Sequence, residues 1–152
     1  MVILGRGGSG KSTLAVTLRE ITRLPVIELD KIVWRQGLAA TPRDEWITTL
    51  QKLVDEDRWI MDGDLGPYDA VEVRLRAADT IILLDFSVAR CAWRALRRGR
   101  EGADFWQWLV TYRWRSRPMR MEAIAKYAPG AEVYVIRNPA ALTRLVAKLA
   151  GK

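Results

Sequence analysis

A glycine-rich stretch near the start of the chain carries the residue types best suited to phosphate chemistry. Residues 5–12 read G-R-G-G-S-G-K-S and fit the pattern G-x-x-x-x-G-K-[ST]. The apolar residues 1–4 precede it, and an amphipathic helical pattern with Leu14, Leu18 and Ile21 on one face follows it. A strand, a loop and a helix in this order are the setting in which the pattern marks a phosphate-binding loop, or P-loop.

The glycines, the lysine and the serine of this loop have separate tasks. Glycines let the backbone turn tightly, so that successive N–H groups point at phosphate oxygens, and the following helix adds the positive end of its dipole. Lys11 is predicted to reach the β- and γ-phosphates of ATP, and the Ser12 hydroxyl is predicted to ligate Mg²⁺. The predicted nucleotide-binding residues of this segment are Gly5, Gly7, Gly8, Ser9, Gly10, Lys11, Ser12 and Thr13.

The same glycines also fit a weaker pattern, the dinucleotide-binding fingerprint G-x-G-x-x-G. Glu28 and Asp30 follow where that fold places an acid for a ribose hydroxyl, about 20 residues on. A lysine and a serine directly after the third glycine have no evident role in that fold, whereas a triphosphate site requires both. The sequence therefore favours the P-loop interpretation.

Three aspartates stand where apolar runs end, at Asp30, Asp62 and Asp85. Ligands of open α/β sheets bind at the carboxyl ends of the strands, so each aspartate is a candidate site residue. Asp62 is the preferred Walker B-type acid, holding a water molecule on Mg²⁺, and Asp85 is the second candidate. Asp30 either orients or deprotonates an acceptor hydroxyl, or only caps the next turn. Gly63 would let the backbone approach the acceptor.

The composition limits the chemistry and the setting of the protein. The 152 residues include no histidine, which excludes histidine acid–base catalysis, and the single cysteine, Cys91, excludes an internal disulfide. No stretch is long and apolar enough to cross a membrane, and the residues before the loop leave no room for a signal peptide. We expect one domain, residues 1–152, in the cytoplasm.

The net charge of +7 arises from one segment. Residues 90–120 contain nine arginines and two acids, whereas the rest of the chain has sixteen basic and sixteen acidic residues. A helix predicted over residues 87–98 has four arginines on one face, which are Arg90, Arg94, Arg97 and Arg98. A second helix, predicted from Asp104 to about Tyr127 with a bend or restart at Pro118, carries Arg113 and Arg117. A clamp for polyphosphate charge is favoured over a nucleic-acid surface.

Apolar runs alternate with helical patterns along the whole chain. The five runs end near residues 4, 30, 62, 85 and 136. They predict an α/β fold of three layers, with a five-stranded parallel sheet and right-handed crossovers. A helix start at Thr41 and Pro42 introduces Arg43, which together with Arg35 could meet an acceptor phosphate.

With these elements placed, the chain resembles the small P-loop kinases related to adenylate kinase. More closely, it resembles the bacterial and archaeal DNA topology modulation proteins, over nearly its whole length. The likeness is carried by residues 7–13 (G-G-S-G-K-S-T), Leu29 and Asp30 with Trp34, Thr41 and Pro42, residues 59–63 (W-I-M-D-G), Arg74 and Leu75 with residues 78–85 (A-D-T-I-I-L-L-D), and Tyr112 and Arg113 with Arg117 and Pro118.

The resemblance implies the strand order 2-3-1-4-5, an ATP site at the P-loop, and an acceptor-binding segment at about residues 31–57. It implies that Arg94 and Arg98 bind ATP at the base of a lid. It also implies that Arg113 and Arg117, which follow the lid in the chain, act as catalytic arginines. It also implies adenine contacts, from Arg137, Asn138 and Pro139. The residues assigned to acceptor binding are Asp30, Trp34, Arg43, Gly63, Asp64 and Arg74.

The chain departs from this family at two places, a lid shortened to about residues 99–103 and an aspartate, Asp64, where the family has asparagine. The shortened lid weakens the exclusion of water during transfer.

The first hypothesis is an ATP- and Mg²⁺-dependent phosphotransferase acting on a nucleotide or small-molecule acceptor. The alternative is an ATP-binding regulator, or slow NTPase, that binds nucleic acid and modulates DNA topology.

Overall fold

Five parallel strands form the centre of the molecule, seen in a computed structural model that describes residues 1–34, 39–99 and 102–151. The order across the sheet is β2-β3-β1-β4-β5, which confirms the predicted order. The strands are β1 (Val2–Gly5), β2 (Val26–Glu28), β3 (Ile60–Asp62), β4 (Thr80–Leu84) and β5 (Glu132–Ile136).

Helices cover both faces of this sheet. They are α1 (Lys11–Thr22), α2 (Leu29–Val33), α3 (Arg43–Val54), α4 (Val71–Ala77), α5 (Val88–Arg98), α6 (Ala103–Thr111), α7 (Ser116–Tyr127) and α8 (Pro139–Ala150). A short 3-10 turn, Gly66–Tyr68, lies between β3 and α4. Among the residues described, no helix is both long and apolar enough to cross a membrane.

The alternation of side chains along the strands divides the core into two apolar clusters. Ile3 and Ile82 face one cluster, with α1, α5, α6 and α8, while Leu4 and Leu83 face the other, with α3, α4 and α7. The central strands are apolar on both faces because helices cover both faces. The resulting three-layer α/β fold is the one that the sequence predicts.

The helix predicted from Asp104 to about Tyr127 restarts near Pro118, which is one of the two outcomes that the sequence left open. It forms two helices, α6 and α7, separated by a turn that begins at Tyr112. Pro118 does not bend a continuous helix, because it lies in the first turn of α7, where a missing N–H costs no intrahelical bond. The turn matters for the site, since α6 and α7 then approach the carboxyl edge of the sheet separately.

Helix starts also differ in detail from the sequence interpretation. The Ser87 hydroxyl accepts a hydrogen bond from the Arg90 backbone N–H and so caps α5. Asp85, the other candidate for this cap, does not cap the helix. The Thr41 hydroxyl does not cap α3, because it donates to the Val33 carbonyl oxygen at 2.7 Å. Strand β2 ends at Glu28, which places Asp30 in the first turn of α2.

Candidate active site

The loop between β1 and α1 has a conformation that requires glycine. Gly8 and Gly10 have positive φ angles of 74° and 95°, and Gly10 ends the loop at the N-terminus of α1. A Cβ atom on Gly8 would lie 2.4 Å from the Cys91 carbonyl oxygen. Backbone conformation and close packing therefore both exclude larger residues at Gly8.

Lys11 folds back over the loop from the first position of α1. Its Nζ donates to the carbonyl oxygens of Gly5, at 2.8 Å, and Arg6, at 3.1 Å. This geometry holds the ammonium group over the loop rather than in bulk solvent. The lysine thus stands where the phosphate chain of a nucleotide would lie in a P-loop.

A cavity of about 580 Å³ opens above this loop. It lies at the carboxyl edge of the parallel sheet, where open α/β sheets bind their ligands. Its lining combines loop glycines, cations, two acids and two aromatic rings. The lining residues are Gly7, Gly8, Gly10, Lys11, Ser12, Thr13, Asp30, Asp64, Arg94, Arg97, Arg98, Phe105 and Trp108.

Three arginines of α5 supply most of the positive charge of the cavity. Arg94 lies directly over the loop, since a Cβ atom on Gly10 would be 3.0 Å from its Nη1. Arg97 and Arg98 line the same cavity from the next turn of α5. Arg90 does not line it, and its guanidinium lies 5.5 Å from the centre of the Phe86 ring. The clamp thus consists of Arg94, Arg97 and Arg98.

Asp62 and Ser12 form a pair suited to a hard divalent cation. The Asp62 side chain is buried, and its Oδ1 has no hydrogen-bond partner in the part of the chain that the structure describes. Burial raises the pKa of Asp62, and a side-chain hydrogen bond with Ser12 opposes the rise. A buried carboxylate oxygen without a donor fits Mg²⁺, which binds one or two protein ligands together with phosphates and water.

No larger metal cluster competes with that assignment. Within residues 1–34, 39–99 and 102–151, no group of three or more acidic or cysteine ligands is close enough to hold an ion. The pair can therefore hold Mg²⁺ only if phosphate oxygens and water complete the coordination.

Asp30 reaches the cavity from the first turn of α2, close enough to Lys11 for the two charges to interact. Burial raises the pKa of its carboxyl group, and the charge of Lys11 opposes the rise. A carboxylate with a raised pKa is a stronger base than an ordinary aspartate, and proton transfer from an acceptor hydroxyl requires such a group.

Asp64 has a different environment, since its side chain is wholly buried. Its Oδ1 accepts bonds from Nη2 and Nε of Arg120, at 2.6 and 2.9 Å, and its Oδ2 accepts one from the Tyr112 hydroxyl, at 3.1 Å. Burial raises the pKa of Asp64, but the Arg120 guanidinium outweighs it and holds the pKa below its ordinary range. Asp64 therefore stays ionised, and its hydrogen bonds hold the side chains of Arg120 and Tyr112 in place.

A buried polar chain connects these partners to the P-loop. The Arg6 guanidinium lies 5.1 Å from the centre of the Tyr112 ring, and Arg6 is only 2% exposed. We define the buried polar chain as Arg6, Tyr112, Asp64 and Arg120. It ties the loop to the segment after β3 and to α7, so the positions of these three segments depend on one another.

Helix α6 packs directly against the loop. A Cβ atom on Gly7 would lie 2.2 Å from Cε2 of Phe105 and 2.9 Å from Cζ3 of Trp108. The two rings are 6.1 Å apart at an angle of 59°, and both line the cavity. An aromatic wall thus covers the loop on the side where the sequence predicts a shortened lid.

The structure places several predicted site residues outside the lining of the cavity. Arg117 Nε donates to Asp85 at 2.8 Å, and Arg43 Nη2 donates to Glu72 at 2.7 Å. Arg74 is fully buried against Asp69. Asn138 caps α8, and Trp34 packs edge-on against Tyr68. The other predicted residues that do not line the cavity are Gly5, Ser9, Asp62, Gly63, Arg113, Arg137 and Pro139, of which Ser9 and Asp62 are buried.

Two parts of the predicted site lie outside the described residues. They are positions 35–38 of the acceptor-binding segment and positions 100 and 101 of the shortened lid.

Sequence reasoning missed four residues that the structure brings to the site or its supports, and it named Arg97 only as a member of the arginine face of α5. Arg97 shares a helix face with Arg94, a signal that was present in the spacing. Arg6, Phe105, Trp108 and Arg120 had no such signal, because their partners are distant in sequence; Arg120 and Asp64 are 56 residues apart.

Solved structures of kinases share this fold. Shikimate kinase from Acinetobacter baumannii, in complex with shikimate, is 19% identical with a TM-score of 0.68, over 97% of this chain and 89% of that chain. Deoxyadenosine kinase from M. mycoides with bound dCTP is 15% identical with a TM-score of 0.59, over 100% of both chains. A gluconokinase from Sinorhizobium meliloti 1021 is 19% identical with a TM-score of 0.56, over 97% and 93%.

These likenesses show that the fold is the one found in P-loop kinases. No protein-family model and no curated protein sequence matches the chain. The resemblance to DNA topology modulation proteins therefore gains no support from the comparisons, whereas the broader resemblance to P-loop kinases does.

The contact between α6 and the loop predicts a specific coupling. Gly7→Ala should destabilise the protein by about 1–3 kcal/mol, because the new methyl group overlaps the Phe105 ring. The same change should cost clearly less in a Phe105→Ala background. Urea unfolding of the four proteins in a double-mutant cycle measures the coupling. Gly102→Ala is the control, since nothing lies within 4 Å of its Cβ position. Equal costs in the two backgrounds would contradict the contact.

The buried pair of Asp64 and Arg120 predicts a large loss of stability. Asp64→Asn should cost about 3 kcal/mol at pH 7, because it leaves a buried guanidinium whose remaining acid, Asp69, is 3.9 Å away. Glu72→Gln, which breaks the more exposed pair with Arg43, should cost about 1 kcal/mol or less. Urea unfolding measures both.

The pH dependence of that loss has a definite sign. A carboxylate whose pKa is lowered by folding stabilises the protein above its unfolded pKa, and this stabilisation disappears as the pH falls through the folded pKa. The difference between the wild type and Asp64→Asn should therefore narrow below about pH 4. A difference that stays constant down to pH 2 would show that the charge of Asp64 is not the cause.

Proposed function

We propose that this chain is a phosphotransferase of the kinase type that uses ATP and Mg²⁺. The observation that carries the proposal is one cavity in which the P-loop, Lys11 and three arginines of α5 face the carboxylate of Asp30. Phosphoryl transfer needs positioning and charge neutralisation more than covalent participation of the protein, and this lining offers both.

The nucleotide end of the cavity is assigned to the loop and to α5. Backbone N–H groups of the loop bind the phosphates, with Lys11 on the β- and γ-phosphates. Arg94, Arg97 and Arg98 offset the charge that develops on the transferred group. Arg137, Asn138 and Pro139 follow β5 at the same edge of the sheet, and we retain them as the proposed adenine contacts.

Ser12 and Asp62 are the residues that would hold Mg²⁺, Asp62 through water. The ion supplies neutralisation of phosphate charge when it is bound. Asp62 contributes its unpartnered Oδ1, and Ser12 contributes a hydroxyl at the exposed start of α1. Asp30 serves the acceptor, and the aromatic wall of α6 restricts the access of water to the transferred group.

Arg113 and Arg117 are weaker candidates for catalytic residues than the arginines of α5 that line the cavity. Arg117 is paired with Asp85, and Arg113 is exposed and absent from the cavity lining. Transfer assisted by either arginine would require α7, or the turn before it, to move toward the loop. The proposal therefore assigns the charge on the transferred group to the arginines of α5.

A nucleic-acid-binding regulator is the second candidate, and one surface feature favours it. Trp93 and Trp114 are 59% and 71% exposed among the arginines of residues 90–120. Exposed aromatic rings beside arginines can stack on the bases of a single strand. Binding of a single-stranded oligonucleotide that weakens steeply with salt, and that Trp114→Ala reduces, would support this candidate; no binding at low salt would remove it.

Replacing the P-loop lysine tests the first proposal. Lys11→Ala should lower Mg²⁺-dependent ATP turnover by about 100- to 1000-fold, because one preorganised cation at the transferred phosphate is lost. Calorimetry should also show weaker ATP binding. Lys148→Ala is the matched control, since Lys148 lies on α8 and pairs with Glu132. Unchanged affinity and turnover in Lys11→Ala would refute the proposed function.

A further inference from the structure

A second cavity, of about 400 Å³, opens between α6, the first turn of α7 and the 3-10 turn Gly66–Tyr68. Helix α6 lines it with one stripe of side chains, since Asp104, Gln107, Trp108 and Thr111 recur at helical spacing. Of the residues that the structure describes, Trp108 alone lines both this cavity and the one above the P-loop. The two cavities therefore share one indole ring as a common wall.

The Trp108 ring reaches from one loop of the protein to another. A Cβ atom on Gly7 of the P-loop would lie 2.9 Å from its Cζ3, and a Cβ atom on Gly66 would lie 3.9 Å from its Nε1. Tyr112 packs edge-on against the same ring, with the ring centres 5.5 Å apart. The P-loop, the 3-10 turn and the buried polar chain thus all contribute to the position of this ring.

The lining of the second cavity has an apolar middle and two charged ends. Pro67, Trp108 and Met119 supply the apolar surface. Asp104 lies in the first turn of α6 and Arg115 follows the end of α6, so an acid and a cation stand at opposite ends of the cavity. An apolar surface with a few polar groups at its rim is typical of sites for small molecules that contain a ring.

Arg115 is the cation that a ligand of this cavity can bind. Its side chain is exposed, and none of the described residues pairs with it. Arg120 also lines the cavity, but its Nη2 already donates to Asp64 and to the Gly66 carbonyl oxygen. An anionic group on a ligand would be attracted to the Arg115 end and repelled from the Asp104 end. The lining therefore predicts both the charge and the orientation of the ligand.

We propose that the second cavity is an effector site for a planar ring compound with a carboxylate or phosphate group, and that its occupation strengthens nucleotide binding at the P-loop. The ring packs against Trp108 and Met119, and the anionic group binds Arg115. The ligand is not a phosphoryl acceptor, because Lys11 and Asp30 line the first cavity and not the second. The site goes beyond the proposed function, and the coupling to the nucleotide rests on it.

The shared ring gives the coupling its sign. In its observed position, Trp108 packs on Gly7 and completes the walls of both cavities. A nucleotide and an effector that contact this ring therefore both favour the same position of α6. Two ligands that favour one state bind more tightly together than separately, and each changes the affinity of the other by the same factor.

Methionine-methyl NMR locates the binding of a probe. The chain contains four methionines, of which Met119 lines the second cavity and Met61 is buried in the core. With isotope-labelled methyl groups, indole-3-acetate should shift the Met119 signal in a saturable way and leave the Met61 signal unchanged. Indole-3-acetamide, which keeps the ring and lacks the charge, should bind about threefold more weakly or worse. Phenyl phosphate in a parallel titration distinguishes a phosphate from a carboxylate ligand.

Two neighbouring arginines provide a matched pair of variants. Arg115→Ala should weaken the binding of the better charged probe to the level of indole-3-acetamide and leave the binding of the amide unchanged. Arg113→Ala removes the same charge from the same turn, at an exposed position that does not line the cavity, and is the control for probe binding. Equal losses in the two variants would reduce Arg115 to a general charge effect and would overturn its role.

Calorimetry measures the coupling to the nucleotide. At a saturating concentration of the better charged probe, the dissociation constant of ATP with Mg²⁺ should fall about fivefold or more. The effect should disappear in Trp108→Leu, because leucine is too short to span from Gly66 to Gly7. It should persist in Arg115→Ala when the probe is again saturating, since that variant keeps the shared ring.

The outcomes separate the site, the coupling and the proposed function. No saturable shift of Met119 at millimolar probe, or equal affinity for the acid and the amide, overturns the site. An ATP affinity that is unchanged or weaker at saturating probe overturns the coupling. A chain that binds no ATP with or without the probe would remove the proposed function together with the coupling, and the Met119 titration would still decide the site.

Discussion

The buried charge of Asp64 is the constraint on which the geometry of this site depends. Removing a carboxylate from water is costly unless donors replace the lost hydration, and Arg120 and Tyr112 supply these donors from α7 and from the turn after α6. Tyr112 in turn supports the Arg6 guanidinium under the P-loop. Satisfying one buried charge therefore fixes the loop, the end of β3 and the two helices that follow α5 relative to one another.

The parallel sheet explains why the working groups meet although they are distant in sequence. All five strands end at one edge, so the P-loop after β1, Asp30 after β2 and Asp62 at the end of β3 face the same space. The cations come from α1 and α5, and an acid comes from α2. The cavity thus combines cations and an acid because the connections that follow different strands meet at one edge of the sheet.

The sequence predicted the parts of the fold that depend on local patterns. The P-loop residues, the apolar alternation of the strands and the cluster at Arg94 and Arg98 are all visible in short windows. The strand order needed a resemblance, because several orders suit the same alternation. The role of Arg120 was not predictable, since it depends on a partner, Asp64, that lies 56 residues away in the sequence.

The contact between α6 and the P-loop shows how the loop can be covered although the predicted lid is short. A long basic lid excludes water by closing over the nucleotide, and residues 99–103 are too few for such a closure. Here Phe105 and Trp108 already lie against Gly7, so the beginning of α6 supplies an apolar cover with no long insert. The same rings also line the cavity, so this cover is part of the candidate site. In the proposed kinase, the apolar cover of the P-loop therefore belongs to a helix of the folded domain, and the charge at the transferred phosphate is left to the arginines of α5.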